Sequence, residues 1–197
     1  MCLMIYCDVS CGHPENPCSA SRAQVGYTGR MARVEDVAAA VIRRSGGRLD
    51  TLKLQKLVYY SQAWHLVWHD EPLFDDVIEA WAGGPVVPAL YRRHRGWYTT
   101  TAQEWEGDPD ALTPQEQETV EIVVGAYGKL SGRQLSTLTH RETPWRLTRQ
   151  RAGLSSGQRG TAVIDLADIA DYYAALDQDD SATPVDEMSL TDDAEPF

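Results

Sequence analysis

Apolar positions recur at helical spacing through most of residues 34–176. Val34, Val37, Ala38, Val41 and Ile42 fall at i, i+3, i+4, i+7 and i+8, the face of one helix, which Gly46-Gly47 then stops. Asp50 or Thr51 is placed to cap a second helix over residues 52–69. This helix is apolar around most of its circumference and is therefore expected to be the central helix of the fold. Glu71-Pro72 breaks it. Leu73-Phe74 and residues 77–81 then read as two short strands around Asp75-Asp76, which predicts a small hairpin.

Gly83-Gly84-Pro85 follows, with Pro85 suited to the first turn of a helix carrying Val86, Leu90 and Tyr91. Residues 96–112 are polar and aperiodic and read as a loop. Thr113-Pro114-Gln115-Glu116 has the form of a capping box with proline at the first helical position, and Val120, Val123, Val124 and Tyr127 supply the stripe behind it. Ser131 and Gln134 repeat the box more weakly ahead of Leu135, Leu138 and Thr139. Thr143-Pro144 starts a further helix through Arg151, with Gly153 as its stop. Asp165 caps a last helix that buries Leu166, Ile169, Ala170, Tyr173 and Leu176. The expectation is a mainly α protein: one compact helical domain over residues 32–176, with five to seven helices and one small β-hairpin.

Charge refines this picture. The chain has 197 residues with 29 acidic and 18 basic side chains, but 11 of the acidic ones lie in residues 165–197, where no basic residue occurs. The remainder is balanced at 18 of each. The formal charge of −11 thus belongs to the C-terminal end, and residues 177–197, acidic and poorly apolar, are expected to form a disordered tail. All four cysteines fall within the first 18 residues, so a disulfide framework spread through the fold is excluded and a cytoplasmic location is expected. Residues 1–30 lack periodicity and read as a disordered extension, with Met31 as the expected true start. No apolar run approaches the ~20 residues of a membrane helix, so no membrane insertion is expected.

Candidate chemistry is sparse. His65 and His69 share a helical face, but Leu66 stands where a zinc protease requires glutamate, and hydrogen-bonded histidines are the simpler reading. The cysteines and His13 lack the paired spacing of a structural zinc site. There is no phosphate-binding glycine loop and no nucleophile motif. No catalysis, metal or cofactor is therefore expected. Residues 129–160 carry seven basic side chains (Lys129, Arg133, Arg141, Arg146, Arg149, Arg151, Arg159) against Glu142 alone, which leaves nucleic-acid binding open as the less favoured alternative. Fifteen of the 18 basic residues are arginine. With six tryptophans, several beside charges, that is the mixture found at protein-interface hot spots.

Three segments together resemble the Panacea domain of SocA-like antitoxins, a family also described among phage-associated proteins. They are Thr51-Leu-Lys-Leu-Gln-Lys-Leu-Val-Tyr-Tyr60, then Pro72-Leu-Phe with Ile78-Glu-Ala-Trp81, Gly84-Pro85-Val86 and Leu90-Tyr91, and finally Leu135-Ser with Thr139-His140-Arg-Glu142-Thr-Pro144-Trp145. The resemblance spans residues 34–176. It implies an antitoxin that neutralises a cognate protein toxin encoded beside it, by direct binding or as an adaptor presenting the toxin to a protease. Family members are paired with toxins as different as translation inhibitors and membrane-acting peptides. Lys53, Lys56 and Tyr60 share one edge of the second helix and are expected to face the partner, with Arg92, Arg93, Arg141 and Arg146 as further contact candidates. Structural roles are expected for Leu54, Gln55, Leu57, Tyr59, Trp81, Gly84, Pro85, Thr139, His140, Glu142, Pro144 and Trp145. In particular, His140 and Glu142 are expected to bond the backbone of the turn before Pro144.

Overall fold

The computed structural model describes residues 30–155 and 157–179. Residues 1–29 of the extension expected over 1–30, with its cysteines, and residues 180–197 of the acidic tail expected over 177–197 lie outside the described residues. Seven α-helices run through the described chain: α1 (Val34–Arg44), α2 (Thr51–His69), α3 (Pro88–His94), α4 (Pro114–Tyr127), α5 (Gly132–Arg141), α6 (Thr143–Arg151) and α7 (Leu166–Asp177). Two antiparallel two-stranded sheets complete it. One pairs β1 (Arg48–Asp50) with β4 (Thr99–Thr101), the other β2 (Glu79–Trp81) with β3 (Gly84–Val86). The fold is mainly α.

The capping chemistry fixes the helix starts. Asp50 accepts from Lys53 N at α2, Thr113 and Glu116 bond reciprocally at α4, Ser131 and Gln134 do so at α5, and Asp165 accepts from Ala167 N at α7. α2 is central and packs against α1, α4, α5 and α7. Leu54, Leu57, Val58, Tyr59, Tyr60 and Ala63 of this helix are fully buried. Tyr60 stacks on Tyr127 of α4 at 4.2 Å, and Trp64 and Tyr59 meet Tyr173 of α7 edge-on.

The hairpin lies one segment later than the sequence pattern predicts. Leu73 and Phe74 form no strand, because the side chain of Gln62 stands in for one: Phe74 N donates to Gln62 Oε1 and Gln62 Nε2 donates to Phe74 O, both at 3.1 Å. Gln55, two turns earlier on the same face of α2, clamps Val87 in the same way. Gly84-Pro85-Val86 is the second strand rather than the start of a helix, since Gly84 has φ +101°, which no helix accepts. Pro88, not Pro85, occupies the first turn of α3.

The segment expected to be a plain loop, residues 96–112, contains β4 and two single 3-10 turns, Ala102–Glu104 and Pro109–Ala111. It is tied to α1. Trp105 Nε1 donates to Glu35 O at 2.9 Å, and Asp108 N donates to the buried Asp36 carboxylate at 2.8 Å.

Candidate functional site

The three sequence motifs converge on one side chain. Lys56, from α2, is fully buried, and its Nζ donates to Pro85 O of β3 at 2.9 Å. A Cβ added to Gly84 would stand 2.7 Å from that Nζ and 2.8 Å from Thr139 Oγ1 of α5. Gly84 is thus the only residue type whose backbone can reach both without displacing them. Thr139 is itself buried and donates to Ser136 O.

Glu142, between α5 and α6, completes the cluster. Tyr60 Oη donates to its Oε1 at 2.9 Å and Tyr173 Oη to its Oε2 at 2.8 Å. Burial pushes the Glu142 carboxyl up to about 7, against the pull of the two tyrosine hydrogen bonds and of the Lys56 charge. Burial likewise brings the Lys56 ammonium down to about 7, against the attraction of Glu142. The tyrosines around them, Tyr59, Tyr60 and Tyr173, are held well above their ordinary range by burial and by the Glu142 charge.

A second layer lies beside this cluster. The His140 ring stacks on Trp145 at 4.1 Å, and the Arg149 guanidinium sits 5.1 Å from the Trp145 ring centre. Trp145 Nε1 donates to Trp81 O at 2.8 Å, and Arg149 donates to the carbonyls of Ala80, Ser155 and Gln158. Burial, then the Lys56 and Arg149 charges, lower the His140 imidazole to about 4.

The expected partner-facing edge of α2 therefore points inward. Lys56 and Tyr60 are fully buried, and Lys53, half-buried, donates through Nζ to Gly128 O at 2.6 Å. Helical spacing correctly puts the three on one face, but that face meets α4, α5 and α7 rather than solvent. The Glu142 side chain bonds two tyrosines, not the turn backbone as expected: it stands at the N-cap of α6 and makes no cap hydrogen bond there. Arg92, Arg93, Arg141 and Arg146 are exposed, with Arg93 paired to Glu35 and Glu106. Leu54, Leu57 and Tyr59 are fully buried, and Pro144 and Trp145 are buried. Trp81 is half-buried, edge-on to Tyr91. Tyr173 was missed as a partner of Glu142, since nothing local marks a contact made across 31 residues, whereas Arg149 lies one helical turn after Trp145, a spacing that could have marked it.

His65 and His69 lie 4.4 Å apart, and His65 Nδ1 is 2.9 Å from Thr119 Oγ1. Among the described residues no group of three or more His, Cys, Asp or Glu side chains is arranged to hold a metal ion. Burial, and secondly His69, lower the His65 imidazole to about 4. The unfolded chain therefore takes up a proton between pH 6.5 and 4 that the folded one refuses. Stability contributed above pH 6.5 is lost as pH falls through 4. His65→Gln is expected to weaken that acid dependence, read from urea midpoints across this range.

The fold and this interior define a helical module whose ionisable motif residues lie inside, with arginines and aromatics outside. Residues 54–146 match the family described as Antitoxin SocA-like, Panacea domain, and this segment of the chain is similar to that family. The match takes in Lys56, Gly84, Thr139 and Glu142 but stops before Tyr173. No curated protein and no solved structure matches the chain. No helix among the described residues is long and apolar enough to cross a membrane.

Proposed function

We propose that this chain is the antitoxin of a toxin–antitoxin pair. It neutralises a protein toxin encoded by an adjoining gene through direct binding in the cytoplasm, without catalysis. The observation that carries this reading is the use of the family motif: Lys56 is spent on Pro85 O of β3, Thr139 on Ser136 O and Glu142 on Tyr60 and Tyr173, all inside the protein. Such a motif maintains a scaffold, and recognition falls to the exposed surface. An interface of ~1,600 Å² anchored by a few Trp, Tyr or Arg side chains suffices for tight neutralisation. In the decisive experiment the adjoining gene is expressed alone and together with this chain. Growth arrest in the first case and growth in the second are expected; a neighbour that is harmless alone contradicts the reading.

The basic segment 129–160 gives little support to the nucleic-acid alternative. Arg149 is buried against carbonyls, Arg151 pairs with Asp168, and Arg146 reaches back to Arg141 O. A basic stripe aimed at a phosphate backbone needs its guanidinium groups free and aligned.

A further inference from the structure

The last helix closes the molecule over Glu142. Tyr173 of α7 is fully buried, stands edge-on to Tyr59, Tyr60 and Trp64, and sends its hydroxyl to Glu142 Oε2 at 2.8 Å. Glu142 and every ring of that floor lie within residues 54–146, whereas α7 lies beyond them.

For a helix with this task α7 is lightly held. Of its 12 residues only Ile169 and Tyr173 are buried, and Leu166 is 38 % exposed. Its side-chain ties to the rest of the described protein are the Tyr173 hydroxyl, an ion pair from Asp168 to the exposed Arg151, and a long contact of 3.4 Å from Trp68 Nε1 to Asp177 Oδ1. The chain just before it is held differently. Ala80 N donates to Ala162 O and Ile164 N to Ile78 O, both at 2.8 Å, and Ile164 is buried. Fixed structure therefore runs up to Ile164, and Asp165, the extended N-cap of α7, is the joint about which the helix can swing without disturbing β2. Elements with so few buried residues are the ones that open locally, below the free energy of global unfolding.

What α7 covers is a buried carboxyl group. Facing Glu142 are Lys56, Tyr59 and Tyr60 from α2, Tyr127 from α4, and Tyr172 and Tyr173 from α7. Of its neighbours in the chain, His140 of α5 responds to Lys56 and Arg149, and Arg146 of α6 acts on Tyr172. Lys56 spends its ammonium on Pro85 O of β3 and makes no bond to α7, so lifting the helix brings water to Glu142 first. Burial holds the Glu142 carboxyl up at about 7 against an ordinary 4.5, and a carboxyl wetted by opening gives up its proton between these values. Opening is therefore favoured as pH rises from 4.5 to 7 and levels off above 7.

We propose that α7 is a latch, hinged at Asp165 and closed by the hydrogen bond from Tyr173 to Glu142, and that loss of the Glu142 proton opens it while the helices beneath stay folded.

The test is hydrogen–deuterium exchange of the full chain, followed by mass spectrometry on peptides from α7 and α4 and corrected for the intrinsic pH dependence of exchange. In the wild type, protection of α7 is expected to lie well below that of α4 and to fall by about 10-fold or more between about pH 5 and pH 7. Tyr173→Phe is expected to lower α7 protection by about 5-fold at the acid end. Glu142→Gln, which has no proton to lose, is expected to leave α7 protection flat across the range. Equal protection of α7 and α4 in the wild type overturns the latch, because the helix then opens only with the whole molecule. Wild-type α7 protection that is constant with pH, or that falls as steeply in Glu142→Gln, overturns the role of the Glu142 proton. Both wild-type readings decide the matter whether or not Glu142→Gln folds.

Discussion

Gly84→Ala is expected to lower the unfolding free energy by about 2–6 kcal/mol, as strain at a backbone angle reserved for glycine adds to overpacking of the interior. Gly84 has φ +101°, and the new methyl would stand 2.7 Å from Lys56 Nζ, 2.9 Å from Lys56 Cε and 2.8 Å from Thr139 Oγ1. The end of a lysine is ordinarily free to swing aside. Here it is fully buried and bonded to Pro85 O, so yielding means giving up that bond inside the protein. Gly83→Ala is the matched control, because a Cβ there meets nothing within 4 Å and the backbone angle is ordinary. Its effect is expected to stay within about 0.5 kcal/mol. Urea unfolding followed by circular dichroism reads both, and equal midpoints for the two variants contradict the packing described around Lys56.

The second large effect concerns Lys56 and Glu142 as a pair. Lys56→Met leaves Pro85 O without its donor and the Glu142 carboxylate without its counter-charge, and Glu142→Gln removes the charge on the other side. Each is expected to cost about 1–3 kcal/mol, as leaving a buried hydrogen-bonding group unsatisfied does. The double variant is expected to lose clearly less than the sum, because neither charge is then left alone in the interior.

The same pair gives a signed dependence on pH. Glu142 is raised from 4.5 to about 7, so the folded chain holds a proton that the unfolded chain releases between these values. Its contribution to stability is complete below pH 4.5 and is lost as pH rises through 7. Lys56 is lowered from 10.5 to about 7, so the unfolded chain holds the extra proton between 7 and 10.5. Its contribution is complete above pH 10.5 and is lost as pH falls through 7. The pair therefore produces a minimum of stability near pH 7. Lys56→Met/Glu142→Gln is expected to lack that minimum, which leaves the acid limb set by His65 and His140.

Local chemistry was legible in the sequence and long-range chemistry was not. The caps at Asp50, Thr113, Ser131 and Asp165 lie within three residues of the donors they satisfy, so spacing alone reveals them. The apolar stripe of α1 and the central burial of α2 follow from composition in the same way. Helical periodicity shows that Lys53, Lys56 and Tyr60 share a face, but the identity of that face is decided by partners 29 to 82 residues away. A lysine in the interior runs against the ordinary distribution of charge, and only Gly84, Pro85 and Glu142 together make it tolerable.

The hairpin was misplaced for a related reason. Leu73-Phe74 has a strand's composition, yet an amide side chain from α2 supplies the hydrogen bonds that a neighbouring strand would give. β1 and β4 are three residues each and pair across about fifty residues of chain, too short for any alternation to mark them. Exposure is also absent from a sequence. Trp97 and Tyr98 are aromatic residues like those in the core, and only the Thr51 contacts and the corner at Gly96 turn them outward.

The central claim is that the family motif builds a scaffold while the exposed surface recognises the toxin. The affinity of folded Lys56→Met/Glu142→Gln for the adjoining gene's product tests it most directly. Wild-type affinity is predicted, together with loss of the stability minimum near pH 7. A double variant that is folded and monodisperse but has lost toxin binding would contradict the claim, and would place Lys56 and Glu142 in recognition itself.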